Sequence, residues 1–204
     1  MSRSGTLTRV LTSTLLAAAV LGVFPLPASA YTRTEVHQRG RVWVDQWVPY
    51  SQSRWATVEG VLVPTGTPFP ERLGYRTDCS GFVSMCLGFT SAAGNPLSLS
   101  TATLDNVMIP IEKEDLQRGD VILRPNDLVI GGTRVPYGHA VLFLKWADAA
   151  HTRYIAYHQS SGGKGTVRAE IRWGTSGFGD AKGFAPYRYQ GVDDAVRPPA
   201  TTRP

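Results

Sequence analysis

Three side chains in this sequence have the types and settings for nucleophilic chemistry: Cys79, His139 and His158. Cys79 lies in Asp78-Cys79-Ser80-Gly81-Phe82-Val83, where a polar approach rich in glycine and proline gives way to a short apolar run. With Thr77 or Asp78 as N-cap, Phe82, Val83, Cys86 and Leu87 recur at helical spacing on the side that carries Cys79, and Gly88 stops the helix. The sulfur then sits in the first turn. Unpaired backbone N–H groups and the positive end of the helix dipole favour the thiolate there, and the thiolate is the nucleophilic form. A free cysteine is more often a small buried apolar residue. The polar or small flanks Asp78, Ser80 and Gly81 weigh against that for Cys79, and a glycine beside the sulfur leaves room for a substrate backbone. Cys86, on the apolar face, reads as core. The helical stretch between the two cysteines separates their Cα atoms by about 10 Å, too far for a disulfide, so both are expected as free thiols.

A cysteine nucleophile needs an imidazole from another part of the chain. Of the four histidines, His37 and His151 read as surface residues in the N-terminal segment and in a turn. His139 follows Tyr137-Gly138 and opens the run Ala140 to Trp146, whose apolar character on both faces predicts a central strand. His158 falls near the end of the next strand, before Gln159-Ser160-Ser161-Gly162-Gly163. Paired as an antiparallel hairpin, the start of the first strand lies beside the end of the second, which makes His139 and His158 neighbours. His139 would then take the Cys79 proton or hold a thiolate–imidazolium pair, and His158 would fix its tautomer and ring angle. A slip of one residue offers Gln159 as the orienting group instead. The same Cys and His residues lack the Cys-x-x-Cys, His-Glu-x-x-His or carboxylate spacing of a metal site, and no phosphate-binding loop is recognisable. No metal and no cofactor is expected.

The elements that must position these groups follow from composition. The 204-residue chain opens with Arg3 and Arg9, an apolar run from Val10 through Val23, and Ala28-Ser29-Ala30 before Tyr31, the pattern of a secretory signal peptide over residues 1–30. Export is therefore expected, with no membrane attachment after its removal. Without that segment the formal charge falls from +5 to +3, because two arginines and no acid leave with it. No basic run is present, so nucleic acid is not an expected partner. The remainder has the size of one domain, and with only two cysteines it must be held by its core. Val36, Val42, Trp43 and Trp47 predict an amphipathic N-terminal helical segment over 31–47. Residues 53–77 read as a long ordered loop and Ser98 to Val107 as a second short helix. Strands are expected at Val121–Leu123, His139–Trp146, Tyr154–Gln159, Val167–Trp173 and Phe184–Tyr189, with a punctuated insertion over 125–136. Residues 190–204 read as a disordered tail.

Taken in order, Asp78-Cys79-Ser80-Gly81-Phe82-Val83, Leu116 to Val121 with its Gly119-Asp120, Gly138-His139-Ala140-Val141-Leu142-Phe143, and His158 followed by Ser160, Ser161 and Gly162 resemble the NlpC-type cell-wall cysteine peptidases. The resemblance covers 48–189. It implies an α+β, papain-like domain whose nucleophile opens a helix packed on an antiparallel sheet. It also implies hydrolysis of amide bonds in peptidoglycan stem peptides, between D-glutamate and a diamino acid. It carries nucleophile, base and orienting residue onto Cys79, His139 and His158, and stem-peptide binding onto Tyr50, Asp78 and Ser80. The chain departs from the family pattern after Pro49-Tyr50, where a longer loop precedes the cysteine, and in the insertion before His139. The expectation is an exported, monomeric thiol hydrolase. The rivals are an amidase or a transglutaminase-like acyltransferase with the same residues, and a non-catalytic wall-binding module or inhibitor.

Overall fold

The computed structural model describes residues 31–162, 165–174 and 178–193; the segment read as a signal peptide lies outside them. In chain order the elements are β1 (Tyr31–Thr32), α1 (Arg33–Asp45), β2 (Trp55–Ala56), β3 (Tyr75–Arg76), α2 (Cys79–Leu87), β4 (Ile109–Pro110), β5 (Val121–Arg124), β6 (Leu128–Ile130), β7 (Thr133–Val135), β8 (His139–Trp146), β9 (Arg153–Ser160), β10 (Gly165–Arg172), β11 (Ala185–Arg188) and β12 (Val192–Asp193). α1 begins at a capping box: Thr32 Oγ1 accepts from the Glu35 N–H while the Glu35 carboxylate accepts from the Thr32 N–H. Its inner face buries Val36, Gly40 and Trp43.

The main sheet has six strands in the order β10-β9-β8-β5-β11-β4, all antiparallel, so the fold is α+β. β8 is central, as its two apolar faces predicted. Ala140 and Leu142 face one core, shared with Phe82, Met85 and Cys86 of α2 and Val36 and Trp43 of α1. Val141 and Phe143 face the other, with Ile122, Tyr154, Ala156 and Phe184. Burying a side chain such as Phe82 completely stabilises the domain by roughly 2–3 kcal/mol.

A buried carboxylate ties the layers together. Asp120, in the tight turn before β5, accepts from Arg33 Nη1 at 2.9 Å, from Arg188 Nη2 at 2.8 Å and from the Gln117 N–H at 2.8 Å. It thereby joins α1, β11 and its own turn. Glycine and aspartate at 119 and 120 are structural in this chain.

Three expectations need correction. The helix expected over Ser98 to Val107 is a single turn followed by a 3-10 turn at Asp105–Val107. The Thr103 hydroxyl accepts from the Ser100 N–H and donates to the Ser100 carbonyl, a local side-chain alternative to helical bonding. The insertion at 125–136 is a hairpin of β6 and β7 turned at Gly131-Gly132. The expected tail starts too early, because Val192–Asp193 pairs in parallel with Tyr31–Thr32; the chain beyond 193 lies outside the described residues. The 53–77 segment is ordered as expected: the Ser51 N–H donates to Thr77 and the Thr77 N–H to Arg54, which clamps the loop at its ends.

Candidate active site

α2 begins where its sequence predicts. The Asp78 carboxylate accepts from the Gly81 N–H at 2.8 Å as N-cap, Cys79 is the first helical residue, and Gly88 ends the helix in the left-handed conformation. Gly81 has a different purpose from the one its neighbourhood suggested. A Cβ there would lie 2.0 Å from the Arg76 carbonyl oxygen, so the glycine lets the helix start against the β3 turn and leaves no open space for a substrate. Gly138 acts likewise at β8: a Cβ would lie 2.4 Å from Thr101 Oγ1 and 2.6 Å from the Arg124 carbonyl oxygen.

These two close approaches bring the cysteine and histidine segments to one cavity of about 880 Å³, lined by Tyr50, Asp78, Cys79, Ser80 and His139 together with Arg76, Arg124 and Tyr137. The Ala140 N–H, one residue beyond His139, lies near enough to the Cys79 sulfur to favour its thiolate. Burial nevertheless pushes the Cys79 thiol up to about 11, and the Asp78 carboxylate adds to the shift; the N–H groups of Ala140, Ser80 and Cys79 offset it only in part. The thiolate expected from the helix N-terminus is therefore not the resting form. A buried sulfur beside an anionic N-cap is a thiol at neutral pH. Cys86 is fully buried in the core, its thiol also raised by burial, and both cysteines are free.

His139 shares a strand face with Val141 and packs its ring against Phe178, at 4.9 Å between centroids, and against His158, at 5.6 Å and nearly perpendicular. Burial, then His158, then Arg124 push its pKa down to about 3, so the ring is neutral. The register Leu142↔Tyr157 makes His139 and His158 diagonal neighbours on one face of the sheet. His139 Nε2 and His158 Nδ1 are both buried without a hydrogen-bond partner. Gln159 points to the opposite face, where its Nε2 donates to the Val48 carbonyl at 2.9 Å. The hairpin register thus turns Gln159 away from His139 and brings His158 to it. His37 and His151 lie elsewhere, bonded to the Tyr157 hydroxyl at 3.0 Å and stacked on Trp146 respectively.

Tyr50 faces the sulfur. Burial and then Cys79 hold its hydroxyl above the ordinary tyrosine pKa, which keeps it a proton-bearing donor, and Gln52 Nε2 donates to it at 3.4 Å. Asp78 and Ser80 are engaged already: Arg76 Nε pairs with Asp78, and Arg76 Nη2 donates to Ser80 Oγ at 3.0 Å. The sequence reading missed Arg76, Arg124 and Tyr137. The only sequence signal for Arg124 is a cation closing an otherwise apolar strand.

No protein-family model matches the chain, and no curated protein matches it. Among solved structures, one from Staphylococcus aureus, described as similar to lipoprotein, NLP/P60 family, aligns with 17% identity and a TM-score of 0.34. The alignment covers 74% of this chain and 41% of that one, so the chain spans about two fifths of the length of the protein it matches. At this TM-score the likeness identifies neither a fold nor an activity. Among the described residues no helix is long and apolar enough to cross a membrane, and no group of three or more His, Cys, Asp or Glu could hold a metal ion.

Proposed function

We propose that this protein is a papain-like cysteine peptidase that hydrolyses amide bonds in peptidoglycan stem peptides after export. The observation that carries the thiol-hydrolase reading is the placement of Cys79, at the start of α2, and His139, at the start of β8, on one cavity. The wall substrate and the NlpC-type assignment rest on the sequence motifs, and export rests on residues 1–30.

The resting pair is a neutral thiol and a neutral imidazole, so the reaction begins with proton transfer concerted with attack. His139 removes the Cys79 proton as the sulfur attacks the amide carbonyl, and the resulting imidazolium protonates the departing amine. Water then attacks the acyl-enzyme, with His139 as base, and regenerates the thiol. The Cys79 N–H, at the helix start, is a donor for the oxyanion, and the Tyr50 hydroxyl is the second. His158 orients the base: pairing the two unpartnered ring nitrogens would fix the His139 tautomer.

The test is mass spectrometry of soluble fragments released from purified peptidoglycan by the mature protein, beside Cys79→Ala and His139→Ala. The proposal requires stem-peptide fragments from the parent and none from either variant. Release of whole stems would instead identify an amidase. No release by any of the three proteins would overturn the wall-hydrolase reading.

A further inference from the structure

The cavity has an unbalanced charge. Asp78 and Arg76 neutralise one another. Arg124 has no carboxylate partner among the described residues: its Nη2 donates to the Tyr137 carbonyl at 3.0 Å and its Nη1 to the Lys182 carbonyl at 3.5 Å, its guanidinium lies 4.7 Å from the centre of the Phe184 ring, and its Nε is buried without a hydrogen-bond partner. Burial lowers its pKa. Beside it, the Asn126 side-chain oxygen accepts from Thr101 Oγ1 at 2.7 Å and from the Gly138 N–H at 2.6 Å, which turns the amide NH2 the other way with no acceptor among the described residues. A partly buried guanidinium with its charge unpaired by any described carboxylate, and an amide donor on the same cavity wall, make a receptor for a carboxylate.

The register fixes where that carboxylate would lie. Arg124 is the direct β-sheet partner of His139, so it stands on the side of the site from which the imidazole delivers its proton. Resting on the roles proposed for Cys79 and His139, we infer that Arg124 and Asn126 bind a free carboxylate on the residue that contributes the scissile nitrogen, and that the site selects substrates whose leaving amine is an amino acid with that carboxylate uncapped. The insertion thereby serves specificity, since Asn126 and Tyr137 flank the β6–β7 hairpin. With Asp78 held by Arg76, selection here is by an anion on the amine side of the bond.

Binding separates this inference from turnover. Isothermal titration of Cys79→Ala with γ-D-glutamyl-L-lysine and with its C-terminal amide compares two ligands that differ only at the carboxylate. A second pair, N-acetyl-L-alanyl-L-lysine and its amide, repeats the comparison without wall chemistry. The acid of each pair should bind about tenfold or more tightly than its amide. Adding Arg124→Gln should abolish that preference, and Arg124→Lys, which keeps the charge, should retain part of it and serves as the control for folding. Equal binding of acid and amide, a preference that survives Arg124→Gln, or no binding of either pair would overturn the inference. Preferential binding of both acids, with no turnover by the parent, would refute the proposed hydrolysis and leave the carboxylate site standing.

Discussion

The protonation state of Cys79 can be tested directly with a small alkylating agent. A thiol raised from 9.0 to about 11 carries about one thiolate in ten thousand at pH 7, against about one in a hundred for an unperturbed thiol. The more basic sulfur is also the better nucleophile, which returns about six- to tenfold. Cys79 should therefore react with iodoacetamide about ten- to twentyfold more slowly than a free cysteine peptide at pH 7. Its rate should climb about tenfold per pH unit and level off only near pH 11. Because the Asp78 carboxylate is the second cause of the shift, Asp78→Asn offers a control: asparagine still caps the helix, the negative charge is gone, and the rate at pH 7 should rise. The readout is the mass shift of the Cys79 peptide, which keeps Cys86 out of the measurement. A Cys79 that reacts faster than the free peptide at neutral pH, with an inflection below pH 8, would refute the neutral-pair account and establish a preformed thiolate–imidazolium pair.

Other perturbations follow from the same geometry. His158→Ala removes one cause of the low His139 pKa, so the acid limb of kcat/KM should move upward from about 3 while kcat falls at least about tenfold; Gln159→Ala should leave that limb in place and lower stability, and the pH profiles of the two variants decide between the roles. Removing the Asp120 carboxylate takes away the buried counter-charge that Arg33 and Arg188 share, and Asp120→Ala should cost roughly 3–5 kcal/mol in urea unfolding. Gly81→Ala forces a Cβ onto a backbone oxygen and should destabilise by about 1–3 kcal/mol or more, with loss of activity as the start of α2 shifts. Cys86 should stay unmodified by iodoacetamide until the protein unfolds, which intact-mass measurement across a urea series would check.

A resting neutral thiol protects Cys79 from oxidation, because the thiolate is the form that oxidants attack. A carboxylate docking at Arg124 would offset one of the charges that keep His139 neutral, making the imidazole a better base when an anionic substrate is bound. Reactivity would then be gated by occupancy. That coupling is electrostatic and needs no movement of the backbone.

Local chemistry made much of this protein legible in the sequence. Asp78 as a cap, Gly88 as a stop and the apolar spacing between them define α2, because capping and helical periodicity involve residues only a few positions apart. The doubly apolar run after His139 marks a central strand for the same reason, and alternation and turns mark β5, β8, β9, β10 and β11 as strands paired in succession from β5 to β10, whereas the meander expected of them is broken at β11, which pairs with β5 and not with β10. What tertiary structure decided was everything that depends on which faces meet. The register of β8 and β9 put His158 beside His139 and turned Gln159 toward Val48, a distinction of one residue that no local pattern encodes. The approach of the β3 turn to α2 gave Gly81 its role and paired Arg76 with Asp78, which fixed the charge around the sulfur. Burial then reversed the expected ionisation of Cys79, since desolvation acts on the assembled cavity and the helix dipole acts on the segment alone. The sequence determined which groups were available for chemistry; only packing determined their charge, their partners and the anion-receptive wall that Arg124 makes beside them.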